Sequence, residues 1–132
     1  MLTAQEAIER LKKGNQRFVN GETQHLKLLS HQQRAEMAES QEPFAIVLGC
    51  SDSRVPAEMV FDQGLGDLFV IRVAGNIVAP SQVGSVEFAA ESFGCPVVIV
   101  LGHTHCGAIH STIEALTNPA TPPSANLMSI VN

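Results

Sequence analysis

The apolar positions of the chain gather into three dense runs, PFAIVLG (43–49), DLFVIRV (67–73) and PVVIVLG (96–102). None alternates between apolar and polar residues, and each ends on glycine or on a turn-forming stretch. Short runs that are apolar toward both faces mark strands buried within a parallel sheet. Helical patterns lie around them. Thr3 and Glu6 form a T-x-x-E capping box, opening a helix that carries Ala7, Ile8, Leu11 and Phe18 and ends near Asn20-Gly21. A more polar helix is expected over Leu28 to Glu39. Pro56 opens a short helix at its first turn, closed by Gly64-Leu65-Gly66. Ser81 is read as the cap of a helix over QVGSVEFAAESF that stops at Gly94, and HTHCGAIHSTIEAL becomes helical at about Gly107. The prolines of TNPATPPS forbid helix there.

Strands alternating with helices predict an α/β domain, a mostly parallel sheet flanked by helices on both sides. The expected organisation is a single domain over residues 1–132. Residues 1–40 form an N-terminal helical arm and residues 41–117 the core that carries the strands. The final stretch SANLMSIVN starts on a plausible cap at Ser124 but stops after barely two turns, without a glycine or a basic last turn. It reads as a helix cut in the middle, so the fold is expected to be incomplete at its C-terminal end.

Composition narrows the function. Thirteen acidic and eight basic residues give a net charge of −5, which argues against nucleic-acid or anionic-membrane partners. No apolar run approaches the roughly 20 residues needed to span a bilayer. The N-terminus is charged throughout and lacks the apolar middle of a signal peptide, so a soluble cytoplasmic protein is expected. Three widely spaced cysteines, with no C-x-x-C, do not suggest a disulfide framework. Trp and Tyr are absent. Chemistry therefore has to come from Cys, His, Asp and Arg.

Those residues cluster at two strand ends. Cys50, Asp52 and Arg54 alternate in GCSDSR, so a chain extended past Leu48 would point all three the same way. His103 and Cys106 follow the third run as H-x-x-C. In open α/β sheets ligands bind beyond the carboxyl ends of the strands, where both groups fall. If strands one and three are neighbours, two thiolates and one imidazole converge; that set favours zinc over magnesium or calcium and leaves a fourth position open. The competing reading is a strand-end histidine and a buried cysteine with no metal. Asp52 could orient a metal-bound hydroxide or ligate the metal, held by Arg54, or the two could be an ordinary surface ion pair. A cysteine phosphatase or rhodanese loop fits poorly, because Arg54 follows Cys50 by only four positions and Asp52 would repel an oxyanion. A papain-like pair would leave Cys106 unexplained. Cys95 is read as a buried small hydrophobe, and His105 and His110 as helix-face residues. His25 and His31 are read as solvated. Arg72 and the Gly75-Asn76 turn could line the same cleft, or be plain turn chemistry.

GCSDSRVPAE (49–58), GDLFVIRVAGN (66–76) and GHTHCGA (102–108) together resemble the β-class carbonic anhydrases, in order and with similar spacing from about Gln41 to Ala108. The resemblance implies one zinc per chain on Cys50, His103 and Cys106, with Asp52 and Arg54 as the catalytic dyad. It implies Gln41 and Gly107 at the substrate, Gln41 reaching into a neighbouring subunit's site, and hence a homodimer or higher oligomer. The implied reaction is reversible hydration of CO2 to bicarbonate and a proton by zinc-bound hydroxide. Two thiolates blunt the metal's charge, so activity is expected to rise toward alkaline pH. A bicarbonate side pocket that some members build with Trp and Tyr should be missing, since Val47 holds the Trp position. Family members continue well beyond residue 132, with another strand and covering helices. Two alternatives stand beside the enzyme: hydrolysis of a CO2 analogue such as CS2 or COS at the same site, and a truncated zinc-binding or assembly protein with little activity.

Overall fold

The computed structural model describes residues 1–25, 30–120 and 122–131. Its strands are β1 (Ala45–Gly49), β2 (Leu68–Arg72) and β3 (Val98–Leu101), all parallel, in the order β2-β1-β3. The helices are α1 (Ala4–Val19), α2 (His31–Glu36), α3 (Ala57–Val60), α4 (Pro80–Phe93), α5 (Gly107–Thr117) and α6 (Ala125–Val131). Chain order and sheet order part company at β1, whose sequence successor lies on one side and β3 on the other. In such sheets the strand order reverses over a crevice at the carboxyl edge, and here that crevice lies beyond β1 and β3.

Central β1 is buried at every position, as its unbroken apolar run predicts. On one face Ala45 and Val47 pack with Ala7 and Leu11 of α1. On the other, Ile46 and Leu48 pack with Ile71 and with Ala89 of α4. Phe69, Phe88 and Phe93 extend that second layer, with ring centroids 5.7–6.1 Å apart. The flanking strands differ from expectation. β2 is only partly buried, and β3 leaves Val98 43% and Val100 68% exposed. Both valines share the face of Ile46 and Leu48 by register, and α4 covers that face over β1 and β2. An apolar run therefore signalled a strand correctly but overstated its cover.

Local signals decide the helix ends. The Thr3–Glu6 capping box forms as predicted. The second helix starts at His31, not Leu28, because Ser30 and Gln33 make a reciprocal cap that the sequence reading overlooked. Leu28 itself lies outside the described residues. Ser81 does not cap α4; Pro80 occupies its first turn, where a missing N–H costs nothing, and Ala79 is the cap. Gly94 closes that helix at φ 62°, a left-handed end that glycine adopts without strain. α3 ends at Val60, well before Gly64. Among the described residues no helix is long and apolar enough to cross a membrane.

Below the sheet, α1 is fastened by a buried carboxylate. Asp62 is fully buried at φ 47° and accepts hydrogen bonds from the backbone N–H groups of Gln24 and His25, both at 2.9 Å, and from Arg17 Nε at 2.5 Å. Burial pushes its pKa up, but these donors outweigh that and lower it to about 2. The folded pKa lies below the unfolded one, so this stabilisation is complete above about pH 4 and fades as pH falls toward 2. Asp62→Asn is expected to cost about 1–3 kcal/mol at pH 7. In denaturant unfolding measured against pH, the gap between variant and parent should close on acidification below 4. Gly14 offers a sign test. Alanine normally favours a helix over glycine, but a Cβ at Gly14 would collide with the Phe61 carbonyl oxygen. Gly14→Ala should therefore lower stability, by about 1–3 kcal/mol, where propensity alone predicts a gain.

Candidate metal centre

All three strands deliver their carboxyl ends to one place. Cys50 follows β1, the turn Ala74–Asn76 follows β2, and His103 to Cys106 link β3 to α5. The ladder of β1 with β2 closes at the Val73 N–H to Gly49 carbonyl bond, 3.2 Å, so Cys50 is the first residue beyond it. The chain does not stay extended there. Val55 N–H bonds back to the Asp52 carbonyl, making a turn that folds Arg54 over Asp52. The predicted alternation fails, yet the turn still gathers the groups it was meant to align.

Cys50 Sγ and Cys106 Sγ lie 4.0 Å apart, and with a ring nitrogen of His103 all three ligand atoms fall within 4.8 Å of one another. Two sulfurs each about 2.3 Å from a tetrahedral zinc would be about 3.8 Å apart, so this spacing suits a metal. The histidine supplies an independent test. Its Nδ1 lies 2.8 Å from the Thr104 carbonyl oxygen, which can only accept, so Nδ1 carries the proton. Nε2 is then the lone-pair nitrogen; it is buried, without a hydrogen-bond partner, and aimed at the sulfurs. A buried acceptor left empty is costly unless something fills it, and a metal ion does so. The group is thus placed to hold a metal ion, and the residues present fit one.

The electrostatics agree. Burial pushes the Cys50 thiol up, but the adjacent His103 ring, the N–H groups of Gly75 and Asp52, and the neighbouring Cys106 thiol outweigh it and lower it to about 7. The Gly75 N–H lies 3.3 Å from that sulfur. The neighbouring Cys50 sulfur, then the Thr104 carbonyl, raises the His103 pKa against the effect of burial. Asp52 Oδ1 accepts from Arg54 Nε and from the Arg54 backbone N–H, both at 2.9 Å, and Oδ2 accepts from Nη2 at 2.6 Å. This bidentate pair holds the Asp52 carboxyl well below the usual carboxylate range. Oδ2 also stands 3.9 Å from His103 Nε2, beside the ligand set.

Cys50, His103, Cys106, Asp52 and Arg54 therefore come together, and Gly107 opens α5 directly after Cys106. Gln41 does not join them; it is exposed ahead of the opposite end of β1. Three other residues matter more than the sequence reading allowed. His105 is not on a helix face: it sits before α5 at φ 56°, and its carbonyl accepts from Arg54 Nη2 at 3.0 Å. Asn76, at φ 56°, donates its side-chain amide to the Leu101 carbonyl, tying the turn after β2 to the end of β3. Arg72 reaches the carbonyls of Cys50 and Asp52. Their signal was the AGN turn and an arginine ending an apolar run, neither of which specifies a contact across the sheet.

Residues 45–132 match the family described as carbonic anhydrase. Carbonic anhydrase 2 of Mycobacterium tuberculosis is 44% identical over 125 residues, covering 95% of this chain and 59% of its own length. The chain belongs to the β-carbonic anhydrase family. A carbonic anhydrase of Mycolicibacterium smegmatis is 45% identical over 116 residues, covering 88% of this chain and 56% of its own. The chain thus spans little more than half the length of these relatives. Among solved structures, a β-carbonic anhydrase of Coccomyxa in complex with acetazolamide superposes with a TM-score of 0.64 at 28% identity, over 73% of this chain and 43% of its own. The β-carbonic anhydrase CafA of Aspergillus fumigatus does so with 0.62 at 27%, over 76% and 49%. Each of the three motifs includes or directly follows the carboxyl end of a strand, 49–58 from the end of β1, 66–76 through β2 into its turn and 102–108 after β3.

The thiols give a direct test. Burial raises the pKa of Cys95, whose thiol donates to the Pro43 carbonyl at 3.2 Å, whereas Cys50 titrates near 7. In metal-free protein the iodoacetamide rate at Cys50, which is buried and so slow, should rise with pH through about 7, where the thiolate forms, whereas that at Cys95 should rise only at more alkaline pH. Added zinc should protect Cys50 and Cys106, read by peptide mass spectrometry.

Proposed function

We propose that this chain catalyses the reversible hydration of CO2 to bicarbonate and a proton, with one zinc ion held by Cys50, His103 and Cys106. The observation that carries the reading is the buried, unpartnered Nε2 of His103 facing two thiols, with an arginine-held carboxylate beside it. When bound, zinc supplies a Lewis acid that makes hydroxide available from water near neutral pH. Two anionic sulfurs weaken that effect, so hydration is expected to rise toward alkaline pH.

The chain's own groups would do the rest. Arg54 keeps Asp52 ionised at any working pH, so its oxygens accept hydrogen bonds and do not store a proton. Asp52 Oδ2, 3.9 Å from His103 Nε2, would accept a hydrogen bond from the attacking hydroxide and so turn its lone pair toward CO2. A proton released by hydration passes on to solvent, because this carboxylate is too acidic to retain it. Gln41 can contribute only from a second copy, since within one chain it precedes the other end of β1. That supports a homodimer as the working form.

Stopped-flow CO2 hydration across pH, with zinc measured on the same sample, tests this. About one zinc per chain and a rate rising with pH are expected. Asp52→Ala should lower kcat/KM about 100-fold or more while zinc stays bound. Arg54→Ala should also slow the reaction, by freeing the carboxylate. Bound zinc without hydration would leave a metal-binding protein and overturn the enzymatic reading.

A further inference from the structure

We propose that Arg72 is a positioning residue of the metal centre, forking its guanidinium onto the main-chain carbonyls of Cys50 and Asp52. Nε donates to the Cys50 carbonyl at 2.8 Å and Nη2 to the Asp52 carbonyl at 2.7 Å. This role rests on the zinc reading above and names what holds the ligand loop in place.

The need for such a clamp follows from where the sheet stops. The Val73 N–H to Gly49 carbonyl bond is the last rung between β1 and β2, and the next residue on β1 is the ligand Cys50. Arg72, the last residue of β2 and the register partner of Gly49, extends the ladder with its side chain instead of its backbone. Among the described residues it forms no ion pair with a carboxylate, so the guanidinium serves these two carbonyls. Asp52 is thereby held at both ends by different cations, its carboxylate by Arg54 and its carbonyl by Arg72. Arg54 in turn holds the carbonyl of His105 in the other ligand loop. The two arginines fix the distance between Cys50 and the His103–Cys106 loop without touching a ligand atom. Two donors in a rigid plane reach two carbonyls at once, which a single ammonium group cannot copy.

The test compares the full chain with Arg72→Met and Arg72→Lys. Three readouts are taken: zinc affinity by chelator competition, the visible spectrum of the cobalt(II)-loaded form, and melting of the metal-free form. Both variants should lose about 10- to 100-fold in zinc affinity, as removal of partners behind metal ligands typically does. Their cobalt bands should weaken or shift, because the sulfur geometry loosens. Melting of the metal-free form should change little, since the guanidinium lies beyond the last rung. Unchanged affinity and spectrum in Arg72→Met would overturn the proposal, as would full recovery by Arg72→Lys. A fall in melting temperature that tracks the affinity loss, with an unchanged cobalt spectrum, would make Arg72 a plain stabiliser of β2 and equally overturn it. If the unaltered protein binds no zinc, the metal reading fails and this role with it. If it binds zinc and both variants bind as well, only the role of Arg72 fails.

Discussion

The complete burial of β1 is the constraint on which the rest depends. A strand paired along both edges and covered on both faces cannot shift register without exposing its apolar set or breaking two ladders at once. Its carboxyl end is therefore a fixed point, and Cys50 sits one residue past it. β3 pairs directly with β1, so His103 emerges beside Cys50 at a distance set by strand spacing. Reversal of the strand order opens the crevice in which the loop of Cys50 and the loop of His103 to Cys106 meet. Precision in the site is inherited from the sheet, not from the loops.

Crowding three acidic groups into that crevice would be unfavourable unless something compensates them. Cys50, Cys106 and Asp52 lie close together, and the chain answers with oriented donors: Arg54 on the carboxylate, the Gly75 N–H on the Cys50 sulfur, and Arg72 on the intervening carbonyls. The result is two thiols and an ionised carboxylate gathered where a cation would be accommodated. The imidazole follows the same logic. Its proton is committed to the Thr104 carbonyl, which leaves the opposite nitrogen as a pure acceptor in a buried place. Each partner removes one alternative state, and together they leave a geometry that suits a metal.

Far from this crevice, a second polar cluster anchors the helical layer. Asp62 draws Arg17, Gln24 and His25 to one carboxylate, while Arg10 stacks 4.1 Å from the Phe44 ring centroid and pairs with Asp67 at 3.2 Å. These contacts fasten α1 to the segments that lead into β1 and β2 and keep Ala7 and Leu11 against Val47. The other face is less complete, with Val98 and Val100 exposed beside α4. The same apolar run thus belongs to a strand that is well paired on one side and thinly covered on one face.

Local rules were enough for much of this in the sequence. The three strands, the capping of α1, the glycine end of α4 and the H-x-x-C spacing of His103 and Cys106 are each written in a short stretch, while the meeting of Cys50 with that pair hung on β1 and β3 being neighbours. Such signals act over a few residues, so they survive without knowledge of what packs where. Burial of β3, the left-handed turn at His105 and the reach of Arg72 and Asn76 across the sheet could not be read this way. They depend on which strands become neighbours and on what lies over each face, and an arginine ending a strand looks the same whether it meets water or two carbonyls. Sequence determined the parts and their chemistry; only the tertiary structure decided which of them touch, because contacts between segments 20 or more residues apart are properties of the packed sheet.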